Sequence, residues 1–487
     1  MAVVESLHFK MANQNLENQP LTEDNGNEVP LPTRRERIPL QRLHIEQRQS
    51  DSSYATSDLG RQSSISPTSR NLELCVYSMD KCGLQFCLDN GKHTTAGELS
   101  KLVQGNMDLP QQASEIFCLW LTSPLLQLQL KPHHKPYKLC KQWCQLLTKF
   151  TGAKQEDIEK EEPILCYQRN CFLSVKDEKR ITDPAILHRL FDEAKYNILE
   201  GRYPVPENDV YYFGALLCFI EHGKFDPNIH QPGFFKDKIS EFLPGHMCKN
   251  RWSFPGRSPR AMNEQKLLER YQHVSEATHI TDHKVEFLKK CWELPYYGSV
   301  FFKGQIERPC NSVIMREMPD RPVHVAVNRE MVHIVDLEKK AILLGLAYDE
   351  LSWEYTEPSV DRPNGFPCLW LEFDAEEDNK KVNKLLQIFS KQAVMMDAMI
   401  DVCVEDLNRR DINTSGALPS QLMSRQASVK PSLTNRFDRL SLSTFNDEGE
   451  RISSSAAVKR QFSLSNPFRR PSKYHHAGRD MPHIVRH

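Results

Sequence analysis

AILHRLFDEAKYNILEGRYPV (185–205), GALLCFIEHGKFDP (214–227) and CWELPYYGSVFFKG (291–304) decide the fold. In the first stretch Ile186, Leu187, Leu190, Phe191, Ala194 and Ile198 recur at helical spacing. Pro184 suits the first turn and Gly201 ends the pattern. The second lies inside an almost wholly apolar helix, VYYFGALLCFIEHG (210–223). In the third, the helical period stops and the alternation of short strands begins. The chain therefore changes architecture near residue 291, from helices to strands.

Upstream of the helices, LELCVYS (72–78) and LQFCLD (84–89) flank a turn at Asp80–Gly83, a hairpin pattern. Thr95 and Glu98 form a capping-box spacing ahead of a helix whose apolar face carries Leu99, Leu102 and Val103. IFCLWLTS (116–123), LLQLQLK (125–131), a helix around Trp143–Phe150 and ILCYQRN (164–170) follow. Two strands, a helix and further strands are the β-grasp order. In the helical part, FFKDKISEFLP (234–244), EQKLLERYQHVSEA (264–277) and DHKVEFLKKCWEL (282–294) read as further helices, with a loop at Pro255, Gly256 and Pro259. Downstream, GSVFFKG, VHVAVN, MVHIVD, AILLGLAY, ELSWEYT and CLWLEFD alternate as strands between Tyr297 and Phe373. One long helix is expected over 379–408, with an apolar stripe of Val382, Leu386, Phe389, Ala393, Met396, Ile400, Cys403 and Leu407.

The ends differ in composition. Ten Ser/Thr crowd between Ser50 and Ser69, and residues 411–487 hold 16 Ser/Thr with twelve Lys/Arg against six Asp/Glu. Such stretches bury too little to offset ordering entropy, so both read as disordered tails, the second one basic. The whole chain carries a net charge of -1, which gives no global field for nucleic acid. Its longest apolar run, Tyr211–Ile220, is about half of what a membrane-spanning helix needs. The N-terminal residues show no signal-peptide pattern, so an intracellular chain is expected.

The 14 cysteines include no CxxC pair. Cys140, Cys144, Cys166 and Cys171, with His133 and His134 upstream, come nearest to ligand spacing but sit among apolar residues, so reduced core thiols are expected and no metal or cofactor. No phosphate loop, HExxH, GxSxG or kinase glycine loop occurs, and the expectation is a chain without catalysis.

The three quoted stretches occupy the places where FERM proteins carry their second-lobe helices and the entry to the third lobe. CLWLTSPLLQLQLKPHHKPYKL (118–139), LLGLAYDELSWEYT (343–356) and VNKLLQIFSKQA (382–393) are similar to one adaptor branch of that family. The resemblance implies an α+β, three-lobed module: a ubiquitin-like lobe at 71–162, a helical lobe at 163–290 and a PH/PTB-like lobe at 291–410, between tails 1–70 and 411–487. It also implies a scaffold on the cytoplasmic side of the plasma membrane that binds the tail of iRhom-type pseudoproteases, supports a surface sheddase complex and modulates a Wnt co-receptor. The alternative function is a phosphoinositide-regulated membrane-cytoskeleton linker. Against it count the mildly acidic balance of residues 71–410 and a C-terminal stretch without sustained heptads.

PTB-like lobes take peptides between a strand and the last helix, which points to Leu351, Trp353 and Tyr355 facing a second helical stripe of Leu385, Ile388, Met395, Met399 and Val402. In KRQFSLSNPFRRPSK (459–473), Lys459, Arg460, Arg469, Arg470 and Lys473 alternate with Phe462, Leu464 and Phe468, a pattern suited to an anionic membrane. Arginine stands three residues before Ser428, Ser463 and Ser472, a spacing for basophilic kinases and then a phosphoserine reader of the 14-3-3 class.

Overall fold

The computed structural model describes residues 72–248, 259–275, 279–308, 320–358, 365–377, 380–415, 435–446 and 449–451. The first lobe contains β1 (Leu72–Tyr77), β2 (Gly83–Leu88), α1 (Ala96–Asn106), β3 (Phe117–Thr122), β4 (Gln127–Gln129), α2 (Trp143–Phe150) and β5 (Ile164–Arg169). Its sheet runs β2-β1-β5-β3-β4, with β5 parallel to β1 and antiparallel to β3. The hairpin turn is held by Asp80, whose Oδ1 accepts from the Cys82 N–H at 2.9 Å. The capping box is present: the Glu98 N–H donates to Thr95 Oγ1 at 3.3 Å, and Glu98 Oε2 accepts from the Thr95 N–H at 2.8 Å. Leu99 and Val103 face the core, whereas Leu102, expected beside them, is exposed. Because β5 is the central strand of this sheet, a boundary at 162/163 falls one strand too early. An isolated four-residue apolar run, Ile164–Tyr167, carries no mark of which neighbour it will pair with.

The second lobe packs α3 (Pro184–Leu199), α4 (Glu207–His222), α5 (Pro259–Tyr271) and α6 (Ile280–Cys291). Asp183 caps α3, its Oδ1 accepting from the N–H groups of Ala185 and Ile186 at 3.0 Å each. Phe287 of α6 meets Phe191 of α3 and Phe213 of α4 at ring-centroid distances of 5.2 and 4.7 Å. At Gly214 a Cβ would lie 2.9 Å from Leu267 Cδ1 and from the Phe242 carbonyl, so only glycine lets α4 approach this closely. Residues 234–244 are not the helix expected. They form turns with one 3₁₀ turn at Ile239–Glu241. Phe235, Ile239, Phe242 and Leu243 are all buried at a spacing that mimics a helix. Their backbone is satisfied differently, since Glu264 Oε1 of α5 accepts from the N–H groups of Gly233 and Phe235 at 3.0 and 2.8 Å.

The third lobe is an antiparallel sheet in the order β10-β11-β12-β6-β7-β8-β9. Its strands are β6 (Val300–Ile306), β7 (Arg321–Val327), β8 (Met331–Asp336), β9 (Ala341–Ala347), β10 (Leu351–Thr356), β11 (Cys368–Glu377) and β12 (Lys380–Phe389). α7 (Ala393–Ser415) follows and packs on β7, β10 and β11. The first half of the helix expected over 379–408 is thus a strand. Val382, Lys384, Leu386 and Ile388 point inward with period two, while Leu385, Gln387 and Phe389 are half-buried. Ser390 ends the strand: its Oγ donates to the Lys303 carbonyl at 2.6 Å and accepts from the Gln392 N–H at 2.9 Å.

The region read as a tail from 411 onward is also corrected in part. α7 runs through Ser415, and β13 (Ser443–Phe445) pairs antiparallel with β12 at Asn383, Lys384 and Leu385.

The lobes meet on one buried ion pair. Arg169, at the end of β5, donates from Nε to Glu178 Oε2 at 2.6 Å, and the two side chains are 4% and 0% exposed. Arg169 Nη2 reaches the Leu173 carbonyl at 2.7 Å. Glu178 Oε1 accepts from Trp292 Nε1 and from Tyr297 OH, both at 2.7 Å. The guanidinium lies 5.4 Å from the Tyr297 ring centroid. At Gly298, with φ +70°, a Cβ would come within 2.6 Å of Arg169 Nη1. The end of β5, the turn that follows it and the segment leading into β6 therefore share one salt bridge.

His333 of β8 is fully buried, and neither ring nitrogen has a hydrogen-bond partner. Burial pushes its pKa down to about 4. Since the unfolded chain titrates near the ordinary value of about 6.5, it binds more protons than the native state between pH 6.5 and 4. His333 thus costs stability as pH falls through that window. His333→Leu should flatten the pH dependence there by up to about 3 kcal/mol, checked by urea midpoints at pH 7 and pH 4.5. Equal losses in both proteins would assign the acid sensitivity to other groups.

Candidate functional site

β10 is an end strand of the third-lobe sheet. Among the described residues it pairs only with β11, from Leu351↔Phe373 to Thr356↔Cys368. Its other edge offers backbone N–H and C=O groups, the template on which an extended peptide can add a strand. α7 packs beside it. The two elements meet electrostatically at Tyr355, whose hydroxyl is pushed up to about 12, first by burial and then by the charges of Glu357 and Asp397.

The side chains expected to line this cleft divide. Leu351 and Trp353 sit on β10 but are buried, and Tyr355 is half-buried. Met395 and Met399 are on α7 and are 6% and 2% exposed, so they fill the contact with the sheet. Leu385 and Ile388 are not on the helix at all. They lie on β12, separated from β10 by β11, and Ile388 is 0% exposed. The apolar, methionine-lined groove expected from the sequence is therefore core. Carboxylates recur on both elements: Asp397, Asp401 and Glu405 stand every four residues on α7, Asp397 buried and the other two half-buried, and Asp349, Glu350, Glu354 and Glu357 flank or occupy β10. Arg409 pairs with Glu405 at 3.2 Å and Arg329 pairs with Asp406. The four-residue acidic spacing is visible in the sequence, on the helix whose apolar stripe dominates the pattern.

The remaining expected sites fall elsewhere. Lys459, Arg460, Arg469, Arg470, Lys473, Ser428, Ser463 and Ser472 lie outside the described residues. Cys166 and Cys171 are buried, Cys140 is half-buried and Cys144 is exposed. Among the described residues no three His, Cys, Asp or Glu side chains are grouped to hold a metal ion. No helix among them is long and apolar enough to cross a membrane.

Comparison with known proteins bears on the same elements. Residues 176–302 match the family described as FERM central domain, and residues 321–399 match KRIT1/FRMD8, FERM domain C-lobe. The FERM domain-containing protein 8 of Xenopus laevis is 38% identical over 417 residues, covering 82% of this chain and 91% of that protein. The chain belongs to the FERM domain-containing protein 8 family. The Homo sapiens member is 39% identical over 357 residues, 71% of this chain and 76% of that protein, and the Danio rerio member is 39% identical over 357 residues, with 71% and 75% coverage. Among solved structures, the FERM and C-terminal domain complex of Drosophila Merlin aligns at TM-score 0.44 and 15% identity, covering 70% of this chain and 98% of that one. The three lobes are those of a FERM module, a scaffold for partner proteins, and neither matched family description names a catalytic domain. β10 and the start of α7 lie within the residues matched to the C-lobe.

Proposed function

We propose that this FERM protein is a non-enzymatic adaptor that holds an extended, basic stretch of a membrane protein's cytoplasmic tail in the cleft between β10 and α7. The observation that carries this reading is the edge of β10 left unpaired among the described residues, with α7, which carries half-buried Asp401 and Glu405, packed on the same strand. Backbone pairing along the edge would supply affinity, and the carboxylates would select positive charge and speed encounter. The client suggested by family resemblance is the tail of an iRhom-type pseudoprotease at the plasma membrane, where the adaptor would support the sheddase complex. A Wnt co-receptor tail is a further client of the same chemistry. In this reading Lys459, Arg460, Arg469, Arg470 and Lys473 add membrane avidity, each contributing about 1 kcal/mol near an anionic surface. Phosphorylation of Ser428, Ser463 or Ser472 would subtract from that charge and offer a site to a 14-3-3-class reader.

The test is pull-down of an iRhom cytoplasmic segment by the full chain and by Asp401→Lys with Glu405→Lys. Both carboxylates are half-buried at the rim, so the melting temperature should hold while capture falls at least about tenfold, the size expected for like-charge juxtaposition. Raising salt should weaken the parent's capture. Full capture by the folded double variant would overturn the reading. In the tail, changing the five basic residues to Glu should abolish binding to anionic vesicles and leave capture intact. Unchanged vesicle binding would remove the tail from the mechanism.

A further inference from the structure

The third-lobe sheet has an edge on β12, on the side away from β10, that β6 leaves largely unpaired. β6 meets β12 at a single pair, Phe389↔Gln305, so the first half of β12 has an edge that β6 does not cover. Ser443–Phe445 lies along that edge, paired with Asn383, Lys384 and Leu385. Upstream, the same segment reaches the opposite end of the sheet. The Arg436 N–H donates to the Leu343 carbonyl at 2.9 Å, and Asn435 Oδ1 accepts from the Gly345 N–H at 3.1 Å, both on end strand β9. Residues 435–445 thus bridge the two uncovered edges, β9 and β12.

The contacts in between have the form of ligand recognition. Phe437 stacks on Phe373 of β11 with ring centroids 5.9 Å apart and planes at 23°. Lys384 Nζ lies 5.6 Å from the centroid of the same ring. Lys384 is itself 2% exposed on the inward face of β12, where its Nζ is held by Glu377 Oε1 at 2.6 Å and by Thr444 Oγ1 at 3.3 Å. Leu440 is buried, and the Arg439 carbonyl accepts from Arg321 Nη1 at 2.8 Å. Ser441 Oγ donates to Glu307 Oε2 at 3.3 Å. Two anchors three residues apart, a main-chain hydrogen bond read by a buried arginine, and a short added strand are how a sheet edge takes a peptide.

We propose that the edge of β12, with the Phe373 and Lys384 surface beside it, is a reversible peptide-docking site whose occupant is this chain's own residues 435–445. Three paired residues, two anchors and a few isolated hydrogen bonds must still offset the ordering of the whole segment, which leaves it reversible. The tether makes up the difference, because a covalently linked ligand acts at an effective concentration of about millimolar. Freed from the tether, the same segment should bind with a dissociation constant in the micromolar to millimolar range, about that of a short peptide that must be ordered on binding. The site stands independently of the client cleft, since β11 and β12 lie between β10 and β13.

The test keeps the whole chain. A specific protease sequence is inserted between Gly416 and Thr434, the purified protein is cut, and the two pieces are followed by gel filtration over a dilution series. The pieces should co-elute at about 500 µM and separate at about 1 µM, the body keeping a cooperative melt. Leu440→Asp should shift the separation at least about tenfold toward higher concentration, and Phe437→Ala similarly. The emptied body should then take up a synthetic peptide of residues 433–451 that the uncut chain does not bind. Co-elution at nanomolar dilution, or unfolding of the body on release, would make the segment a permanent element of the lobe and overturn the proposal. Separation at every concentration, or equal peptide binding by the uncut chain, would overturn it as well.

Discussion

Glu178→Ala should destabilise the three-lobed body by about 3–5 kcal/mol, read as a fall in the denaturant midpoint at constant slope. The carboxylate is 0% exposed and accepts from three donors: Arg169 Nε, Trp292 Nε1 and Tyr297 OH. Its removal leaves a buried guanidinium without its counter-charge and two ring donors without an acceptor. Each such loss carries a desolvation cost. Arg169→Met combined with Glu178→Leu should cost less than either polar deletion, since no charge is left stranded. By contrast, Glu207→Ala removes the exposed pair with Lys266 and should stay within about 1 kcal/mol of the parent. A loss at Glu178 no larger than at Glu207 would mean the junction does not hold the lobes together.

Ile388→Asp should unfold the third lobe. The side chain is 0% exposed, and its Cγ2 is 3.0 Å from where a Cβ on Gly304 of β6 would stand, so no space exists for a hydrated carboxylate. Burying an unpaired charge exceeds about 4 kcal/mol, a large share of a lobe's total stability. Phe389→Asp, at a half-buried position on the other face of the same strand, should leave a folded lobe with a lower melting temperature. Circular dichroism melts of the two variants check the order. A helical reading of 379–408 predicts the reverse, with Phe389 in the core and Ile388 toward the cleft.

That reversal shows where the sequence was legible and where it was not. β6 to β11 announce themselves as short runs rich in β-branched and aromatic residues between turn residues, as MVHIVD and CLWLEFD do, α3 by its cap and apolar face, and α4 by its long apolar run. β12 hides because Lys384 occupies an inward position and breaks the period-two pattern, leaving Val382, Leu386 and Phe389 at a spacing that suits a helix. Only the fold supplies Glu377 and Thr444 to hold the Lys384 ammonium. At 234–244 the misleading signal is four buried apolar residues at helix-like spacing, whose backbone is served by a carboxylate from α5. That β10 and the last helix are neighbours was legible through family resemblance. The burial of Met395 and Met399 was not, because methionines at helical spacing look alike whether they face a ligand or a sheet. Phe437 and Leu440 stood in a serine-rich stretch where two apolar residues gave no periodicity to read.

The central claim is that the β10 edge accepts an extended segment beside the acidic face of α7. Amide hydrogen exchange of the full chain, alone and with a saturating iRhom cytoplasmic segment, tests it most directly, because an added strand must protect the N–H groups it bonds. Slowed exchange confined to Leu351–Thr356 and the neighbouring turns of α7 is the result this account predicts. Protection absent there and present instead in the first lobe, or along β12, would contradict it.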